Sequence, residues 1–368
     1  RLLEANQLAA TYYQQCLLHN NHAMEYVFKH RRLSKKIVAD FQIGYAPDTG
    51  SALMNALTKK GFTKRELAEA GLSNRYGGDL FRGRMMVPLM DQSGQVVGFT
   101  GRIIDDIPNA PKYLNTPQTL LYDKGRHIFA LSQAKEAIRA DDVVVVVEGN
   151  LDVVSSHRVG IRSVVATAGT AMTENHIRAI KRLTGDIRLA YDGDKAGVAA
   201  SERAIAIASQ VGVELSIISL PDGAKDPEEE YAEGWRELIQ RDPRLWKQAI
   251  ANKEPAVDWV LRQYASRVDM TTANGKRAFT TAGLGVVRTL TDPVEQDHYE
   301  RKIADMTGAS LESIHTKLTQ NKVDRPKLKE VKTATRRADG DTFVYEDNAL
   351  AIAVVDSSCR ELFAHIDT

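Results

Sequence analysis

Cysteine is almost absent from this sequence: Cys16 and Cys359 are the only two in 368 residues. Two cysteines so far apart exclude a disulfide framework and a thiolate zinc site within the chain, so we expect no zinc and a cytoplasmic protein. No His-Glu-x-x-His pattern, no Gly-x-x-x-x-Gly-Lys-Ser/Thr loop and no Gly-x-Ser-x-Gly turn occurs either. The sequence therefore lacks the signatures of zinc peptidases, P-loop nucleotide triphosphatases and α/β-hydrolases.

Long apolar runs are also missing. None approaches the roughly 20 residues that a membrane-spanning helix needs, and the first ten residues are too polar for a secretion signal. We therefore expect no contact with a membrane. Because the chain begins with Arg1 rather than Met, we also expect a piece of a longer protein.

The net charge of +1 hides an uneven distribution. Residues 1–140 hold 19 Lys and Arg against 12 Asp and Glu, which gives +7, whereas residues 141–240 hold 10 against 17, which gives −7. Solvated surfaces alone can produce such an asymmetry. A basic segment beside an acidic one also suits a protein that binds a polyanion on one surface and metal ions on the next.

Short apolar runs alternate with helical patterns in the middle of the chain. The five valines at 143–147 are too β-branched for a helix and predict a central buried strand. Further strands are predicted at 163–167, 187–191 and 214–219, with helices between them. This alternation predicts an α/β fold with a parallel sheet flanked by helices. Before it we expect a mixed α+β subdomain with a hairpin, and after it a helical subdomain.

Acidic residues follow these strands where each strand ends. Glu148 comes directly after the valines, Asp192 and Asp194 follow the strand at 187–191, and Asp226 and Glu228 lie further on. An Asp-Gly-Asp sequence by itself is commonly only a turn. Because the carboxyl ends of parallel strands meet at one edge of a sheet, the three groups together predict a magnesium site. Such sites suit phosphoryl and nucleotidyl transfer.

Motifs around these acids recur in a fixed order: Glu148-Gly149-Asn150-Leu151-Asp152, then Ala168-Gly169-Thr170-Ala171, then Asp192-Gly193-Asp194-Lys195-Ala196-Gly197. This segment resembles the Toprim domain shared by bacterial primases, topoisomerases, some nucleases and recombination mediators. Residues before it narrow the resemblance to the RNA polymerase core of DnaG-type bacterial primases. They are Phe81-Arg82-x-Arg84, Gly98-Phe99-x-Gly101-Arg102, Pro111-Lys112-Tyr113-Leu114-Asn115-Thr116-Pro117, Lys124-Gly125-Arg126 and Phe129-Ala130-Leu131.

The resemblance implies synthesis of RNA primers on single-stranded DNA from ribonucleoside triphosphates, with two or three Mg²⁺ or Mn²⁺ ions as cofactors. The implied metal ligands are Glu148, Asp192, Asp194, Asp226 and Glu228, of which the first three are the implied catalytic residues. Glu228 stands where the family usually has Asp, so direct and water-mediated metal contact both stay open. The implied nucleotide-binding residues are Arg102, Lys112, Asn115 and Lys124, and the implied template contacts are Arg82, Arg84, Tyr113 and Arg126.

On this basis we expect five segments along the chain. They are a basic α+β subdomain at 1–139, a Toprim domain at 140–230, a helical subdomain at 231–320, a linker at 321–342 and a truncated helicase-interacting domain at 343–368. The resemblance implies the replicative helicase as a partner through that last segment. It also implies a location at replication forks on the nucleoid.

Two alternatives stay open. A Toprim topoisomerase or nuclease would use Glu148 as a general acid or base, and a type IA topoisomerase would also need a nucleophilic tyrosine. Nothing singles out one of the twelve tyrosines for that role. The other alternative is a non-catalytic DNA-binding scaffold with a Toprim fold, against which the complete set of acids argues.

Overall fold

The computed structural model describes residues 1–105, 107–108, 110–191, 194–219, 239 and 242–319. Three predicted metal ligands, Asp192, Asp226 and Glu228, lie outside this part, as do the predicted linker and the segment 343–368. Within the described ranges, no helix has the length and apolarity needed to span a membrane.

The amino-terminal part of the chain is a mixed α+β subdomain. Its helices are α1 (Leu2–Leu18), α2 (Asn21–Glu25), α3 (Lys35–Asp40), α4 (Ala52–Lys59) and α5 (Lys64–Glu69), and a π-helical turn at Tyr26–His30 continues α2. Its strands form an antiparallel sheet in the order β1 (Gly44–Ala46), β2 (Arg84–Met90), β3 (Val96–Ile103) and β4 (Tyr113–Asn115). The sequence predicts the β2–β3 hairpin, whereas β1 and β4 are too short to give a periodic signal.

A five-stranded sheet occupies the centre of the chain. Its order is β6 (Val164–Ala166), β5 (Val144–Val147), β7 (Ile187–Ala190), β8 (Leu215–Ile218) and β9 (Lys253–Pro255). The helices around it are α6 (Leu131–Asp141), α7 (Asn150–Arg158), α8 (Glu174–Lys181) and α9 (Lys195–Val211). Strands β5 to β8 are parallel, which confirms the predicted α/β sheet with flanking helices.

The valines of β5 contribute to two hydrophobic cores, one on each face of the central sheet. Val144 and Val146 face a core that includes α8, α9 and the carboxyl-terminal helices. Val145 and Val147 face a second core, which α7 and the amino-terminal sheet share. All four are fully buried. A strand covered on both faces needs an unbroken apolar run, and this one joins the two halves of the fold.

In the described residues after β8, helix α10 (Pro243–Ala251) precedes β9, and helices α11 (Ala256–Ala265), α12 (Ala273–Val287), α13 (Pro293–Thr307) and α14 (Leu311–Thr319) follow it. Helix α13 begins at Pro293 and is capped by Asp292, whose Oδ1 accepts from Val294 N. The sequence predicts helix throughout residues 228–320, and this prediction is wrong at β9, which pairs antiparallel with β8. The three residues of β9 are polar or proline and carry no strand pattern, and Lys253 is held there by Asp186, 2.7 Å away.

Because three histidines are buried, we expect the free energy of unfolding to decrease at acidic pH. Burial lowers the pKa of His127 and of His157 to about 4, and it also lowers the pKa of His176. In the unfolded chain these groups protonate below about pH 6.5, so the unfolded state binds more protons between pH 6.5 and 4. Their stabilising contribution is therefore complete above pH 6.5 and is lost as the pH falls towards 4, by roughly 3 kcal/mol for each of the first two.

Urea denaturation between pH 7 and pH 4.5 measures this dependence. We expect the unfolding free energy to fall steadily over that range. In His127→Phe the slope should be shallower, because one titrating group has been removed. An unfolding free energy that stays constant from pH 7 to 4.5 would contradict the prediction.

Candidate active site

Two of the predicted acids lie at the carboxyl-terminal edge of the central sheet. Glu148 follows β5 directly, and Asp194 follows β7 and immediately precedes α9. Val147 and Ala190 are partners in the parallel register of these strands, so both chain segments leave the sheet at the same level. Both residues are exposed. We call Glu148 and Asp194 the acidic edge.

The turn after β5 is built closely around another carboxylate. A Cβ added to Gly149 would lie 2.5 Å from Asp152 Oδ2, so a larger residue here would require the Asp152 carboxylate to move. On the neighbouring strand, burial and the negative charge of Glu148 raise the pKa of Tyr191, which keeps its phenol protonated. Glu148 thus acts electrostatically on the end of β7.

Asp194 also has a structural role. Its Oδ1 accepts a hydrogen bond of 2.7 Å from Gly197 N and caps α9. A carboxylate has about four lone-pair positions, so this bond leaves capacity for a cation. Capping and metal binding by Asp194 are therefore compatible.

Among the residues that the structure describes, no group of three His, Cys, Asp or Glu side chains is close enough to hold a metal ion. Glu148 and Asp194 are the two of the five predicted ligands that fall within this part. Their oxygen-only donor set fits Mg²⁺ or Mn²⁺. The full ligand set stays a prediction.

Two predicted nucleotide-binding residues, Arg102 and Asn115, share one face of the amino-terminal sheet with the predicted template contact Tyr113. Arg102 pairs with Tyr113 and Thr100 pairs with Asn115 across β3 and β4. Since alternate residues of a strand share a face, Arg102, Tyr113 and Asn115 lie on the same side. Exposed Lys112 directly precedes β4. We call Arg102, Lys112, Tyr113 and Asn115 the basic ridge.

Arg102, Tyr113 and Asn115 of the basic ridge lie on the side of their sheet that faces the central sheet. Met85 is the partner of Arg102 on β2, and Val87 is the partner of Thr100. Both apolar side chains lie in the core that also contains Val145 and Val147 of β5. These three residues of the ridge thus continue, towards solvent, the face that packs on the central sheet.

Two polar atoms of the basic ridge are buried without a hydrogen-bond partner among the described residues: Arg102 Nη1 and Asn115 Oδ1. The rest of the Arg102 side chain is held firmly. Its Nε donates to Tyr26 Oη at 3.0 Å, and its guanidinium lies over the Tyr113 ring, 4.8 Å from the ring centre. An unpaired buried polar atom costs about 1–3 kcal/mol, so a polar ligand that reaches these atoms gains affinity.

One cation near the basic ridge is not predicted from the sequence. Arg31 donates from Nε and Nη2 to the Tyr26 hydroxyl that also accepts from Arg102, at 3.0 and 2.5 Å. Tyr26 begins the π-helical turn, a feature frequent at functional sites. Arg31 belongs to no local sequence motif, and it comes close to Arg102 only because both residues donate to Tyr26 Oη in the folded protein.

The two predicted template residues on the hairpin differ in position. Arg82 is exposed. Arg84 is only 5% exposed, and its Nη1 donates to Gly101 O at 3.2 Å. It stabilises the pairing of β2 with β3, so its position gives no support to a contact with template.

Lys124 and Arg126 lie on a loop that is held to helix α8 and to strand β6 of the central sheet by hydrogen bonds. Both are exposed. The loop contacts the first turn of α8, where His176 Nε2 lies 3.1 Å from Lys124 O. Further on, Phe129 forms two backbone hydrogen bonds with Ala166 of β6. A helix that follows a parallel strand begins at the carboxyl edge of the sheet, so this loop lies on the side of the acidic edge.

Three family models match successive parts of the chain. The model of the DNA primase catalytic core, N-terminal domain, matches residues 12–135, and a Toprim-like model matches residues 145–231. A model of the DnaB-helicase binding domain of primase matches residues 257–312. That last match falls on helices α11 to α14, earlier in the chain than the segment 343–368.

Curated relatives and solved structures agree with these matches. The DNA primase of Clostridium acetobutylicum is 34% identical over 318 residues, which are 86% of this chain and 51% of the relative. That of Geobacillus stearothermophilus is 32% identical over 89% of this chain and 54% of the relative. The chain spans about half the length of these curated relatives.

Two solved structures are similar over most of the chain. The RNA polymerase domain of Mycobacterium tuberculosis primase DnaG is 31% identical, with a TM-score of 0.71, over 83% of this chain and 98% of that domain. A DnaG primase catalytic domain bound to single-stranded DNA is 28% identical, with a TM-score of 0.71, over 85% of this chain and 98% of that one.

Proposed function

We propose that this chain, which belongs to the family of bacterial DnaG-type DNA primases, is an RNA polymerase core that synthesises RNA primers on single-stranded DNA during replication. The main support for the proposal is that the exposed cations Lys124 and Arg126 lie at the same end of the central sheet as the acidic edge. The loop of Lys124 and Arg126 is bonded to the first turn of α8, and the acidic edge lies at the same end of the sheet. A triphosphate placed there has cations on one side and carboxylates on the other.

In the proposed reaction, a 3′-hydroxyl attacks the α-phosphate of a ribonucleoside triphosphate, a new P–O bond forms and pyrophosphate leaves. The predicted ligands Glu148, Asp192, Asp194, Asp226 and Glu228 would hold Mg²⁺ or Mn²⁺, and the bound ions would supply positive charge for the attacking and leaving oxygens. Glu148 is exposed at the strand end and can accept the hydroxyl proton.

The basic ridge would bind the triphosphate and the template. Arg102 Nη1 is a buried donor without a partner in the described part, which suits a phosphate oxygen, and Asn115 Oδ1 is an acceptor suited to a ribose hydroxyl. Tyr113 is 42% exposed and can stack on a base. Lys112, Lys124, Arg82 and Arg126 add exposed positive charge along the path. We expect template binding to be weak, independent of sequence and salt-dependent.

The proposed domain organisation follows the predicted boundaries at 1–139, 140–230 and 231–320, with the linker at 321–342. We propose the replicative helicase as a partner of the carboxyl-terminal part. The match of a helicase-binding model to residues 257–312 supports that partner and points to helices α11 to α14, in addition to the segment 343–368 that the sequence predicts. At replication forks the protein would work on the nucleoid, in the cytoplasm.

Parallel assays separate primer synthesis from the alternatives. The purified chain is incubated with Mg²⁺ or Mn²⁺ and either single-stranded DNA with labelled ribonucleotides or supercoiled plasmid. We expect labelled RNA from the first substrate and an unchanged second substrate. Relaxed or nicked plasmid without RNA would favour a topoisomerase or nuclease, and DNA binding without either product would favour a scaffold.

Lys112→Ala is expected to raise the apparent KM for ribonucleotide about tenfold while changing kcat little. The exposed ammonium attracts the triphosphate in the ground state and the transition state alike, so its loss removes uniform binding. Steady-state kinetics with varied ribonucleotide measure this effect. Lys60→Ala, an exposed lysine at the end of α4, is the control and should leave KM unchanged. Equal KM values for the two variants would remove Lys112 from the nucleotide site.

A further inference from the structure

We infer that Thr173 and His176, at the start of α8, are positioning residues that fix Lys124 against the acidic edge. The inference rests on the proposed function and extends it to two residues that contact the nucleotide only through the loop. Their bonds to the loop are made to two consecutive carbonyl oxygens, those of Lys124 and Gly125. Lys124 itself is the residue expected to touch the triphosphate.

The hydrogen bonds at this helix start determine the tautomer of His176. Thr173 N lies 3.3 Å from His176 Nδ1, and a backbone N–H can only donate, so Nδ1 accepts. Nε2 must then carry the proton of the neutral ring, and it donates to Lys124 O at 3.1 Å. A protonated imidazole would place a hydrogen on Nδ1 and oppose the first bond. Only the neutral ring with hydrogen on Nε2 satisfies both contacts.

Thr173 reinforces the same attachment. Its Oγ1 donates to Gly125 O at 2.6 Å and accepts from His176 N at 3.2 Å. From within the loop, Asp123 Oδ1 accepts from Gly125 N at 2.8 Å. Three hydrogen bonds thus fix the peptide groups on both sides of Gly125, while the side chains of Lys124 and Arg126 stay exposed.

The surroundings keep His176 neutral. Its side chain has no exposed surface, and burial lowers its pKa. The charged and titratable groups that act on it are Asp123, on the loop, and His127, which follows the loop. Both ring nitrogens of the buried His176 form hydrogen bonds, and one of these bonds is to the loop. His176 therefore fixes the backbone of the loop in advance and so positions the exposed Lys124.

A capping role alone would leave Lys124 unaffected, and two substitutions distinguish the roles. Glutamate at this third helical position also accepts from Thr173 N, so His176→Glu retains the capping box but cannot donate to Lys124 O. Glutamine can accept with its oxygen and donate with its nitrogen, so His176→Gln retains both contacts. A purely structural role predicts that both variants keep the wild-type KM, even though the buried glutamate costs stability.

The positioning role predicts a difference in nucleotide kinetics. We expect His176→Glu to raise the apparent KM for ribonucleotide about five- to tenfold, with kcat within about twofold of wild type and the fold intact by circular dichroism. His176→Gln should stay within about twofold in both constants. His157→Gln is the matched control, because His157 is buried and bonds Val164 O through Nε2 at 2.9 Å, away from this loop. It should change stability but not KM.

Nitrogen-15 NMR of the wild type tests the geometry without any variant and without activity. We expect the Nε2–H tautomer for His176 at pH 7 and slow exchange of the Gly125 amide. The Nδ1–H tautomer, or a folded His176→Glu variant with unchanged KM, would overturn the inference. If the wild type makes no primers, the proposed function fails, and the NMR result still decides whether His176 holds the loop.

Discussion

Glu148→Gln is expected to lower primer synthesis at least about a hundredfold while leaving the protein folded. Loss of a group that positions a divalent cation or transfers a proton typically costs 10² to 10⁴ in rate. The glutamine has nearly the same shape, and Glu148 is exposed, so the buried β5 valines keep their packing. Incorporation of labelled ribonucleotide on single-stranded DNA measures the rate, and circular dichroism checks the fold.

A matched control for this substitution is Glu136→Gln. Glu136 is an exposed carboxylate on α6, whose Oε1 lies 3.1 Å from Arg139 Nη1. Because it lies before β5 and outside the acidic edge, its neutralisation should leave synthesis unchanged. Retention of more than a tenth of the wild-type rate by Glu148→Gln would remove Glu148 from the catalytic role.

Phe129→Ala is expected to destabilise the protein by about 3–5 kcal/mol. Phe129 is only 1% exposed, and its ring stacks on Phe41 with 5.9 Å between ring centres. It lies in the core that the amino-terminal subdomain shares with the central sheet, and its backbone pairs with Ala166 of β6. The cavity left by alanine would therefore open where the two subdomains meet.

Chemical denaturation followed by tryptophan fluorescence measures this loss. Trp246 lies in the same core as Phe129, so its emission reports on that region. Tyr76→Ala is the control: Tyr76 is also aromatic but 80% exposed, and its removal should change the unfolding free energy by less than about 0.5 kcal/mol. Similar unfolding free energies for the two variants would mean that Phe129 does not anchor the subdomains.

The central sheet could be predicted from the sequence because its strands are buried on both faces. The valine run of β5 is apolar throughout, the run that ends at Ala190 is apolar except for the partly buried Arg188, and helical patterns separate the two. Strand β9 could not be predicted. Its three residues form a strand only because Ile217 and Ile218 of β8 offer an unpaired edge to Glu254 and Lys253.

Residues of the candidate site could be predicted where they belong to a local sequence motif. Residues that join the site only through tertiary contacts could not be predicted. Arg102, Tyr113 and Asn115 were expected from their motif, and the register of β3 and β4 brings them to one face. Arg31 was missed because its neighbour through Tyr26 lies on a distant strand. Burial of Arg84 could not be foreseen either, since the space above Gly101 exists only in the paired hairpin.

Template-directed synthesis most directly tests the claim that the acidic edge and the basic ridge form one polymerase site. Wild type, Glu148→Gln and Lys112→Ala are compared on a single-stranded DNA of known sequence with all four ribonucleotides and Mg²⁺ or Mn²⁺. We expect alkali-sensitive RNA complementary to the template from the wild type, about a hundredth of that amount or less from Glu148→Gln, and product from Lys112→Ala that returns as ribonucleotide is raised. RNA from none of them at any protein concentration, or equal RNA from wild type and Glu148→Gln, would contradict it.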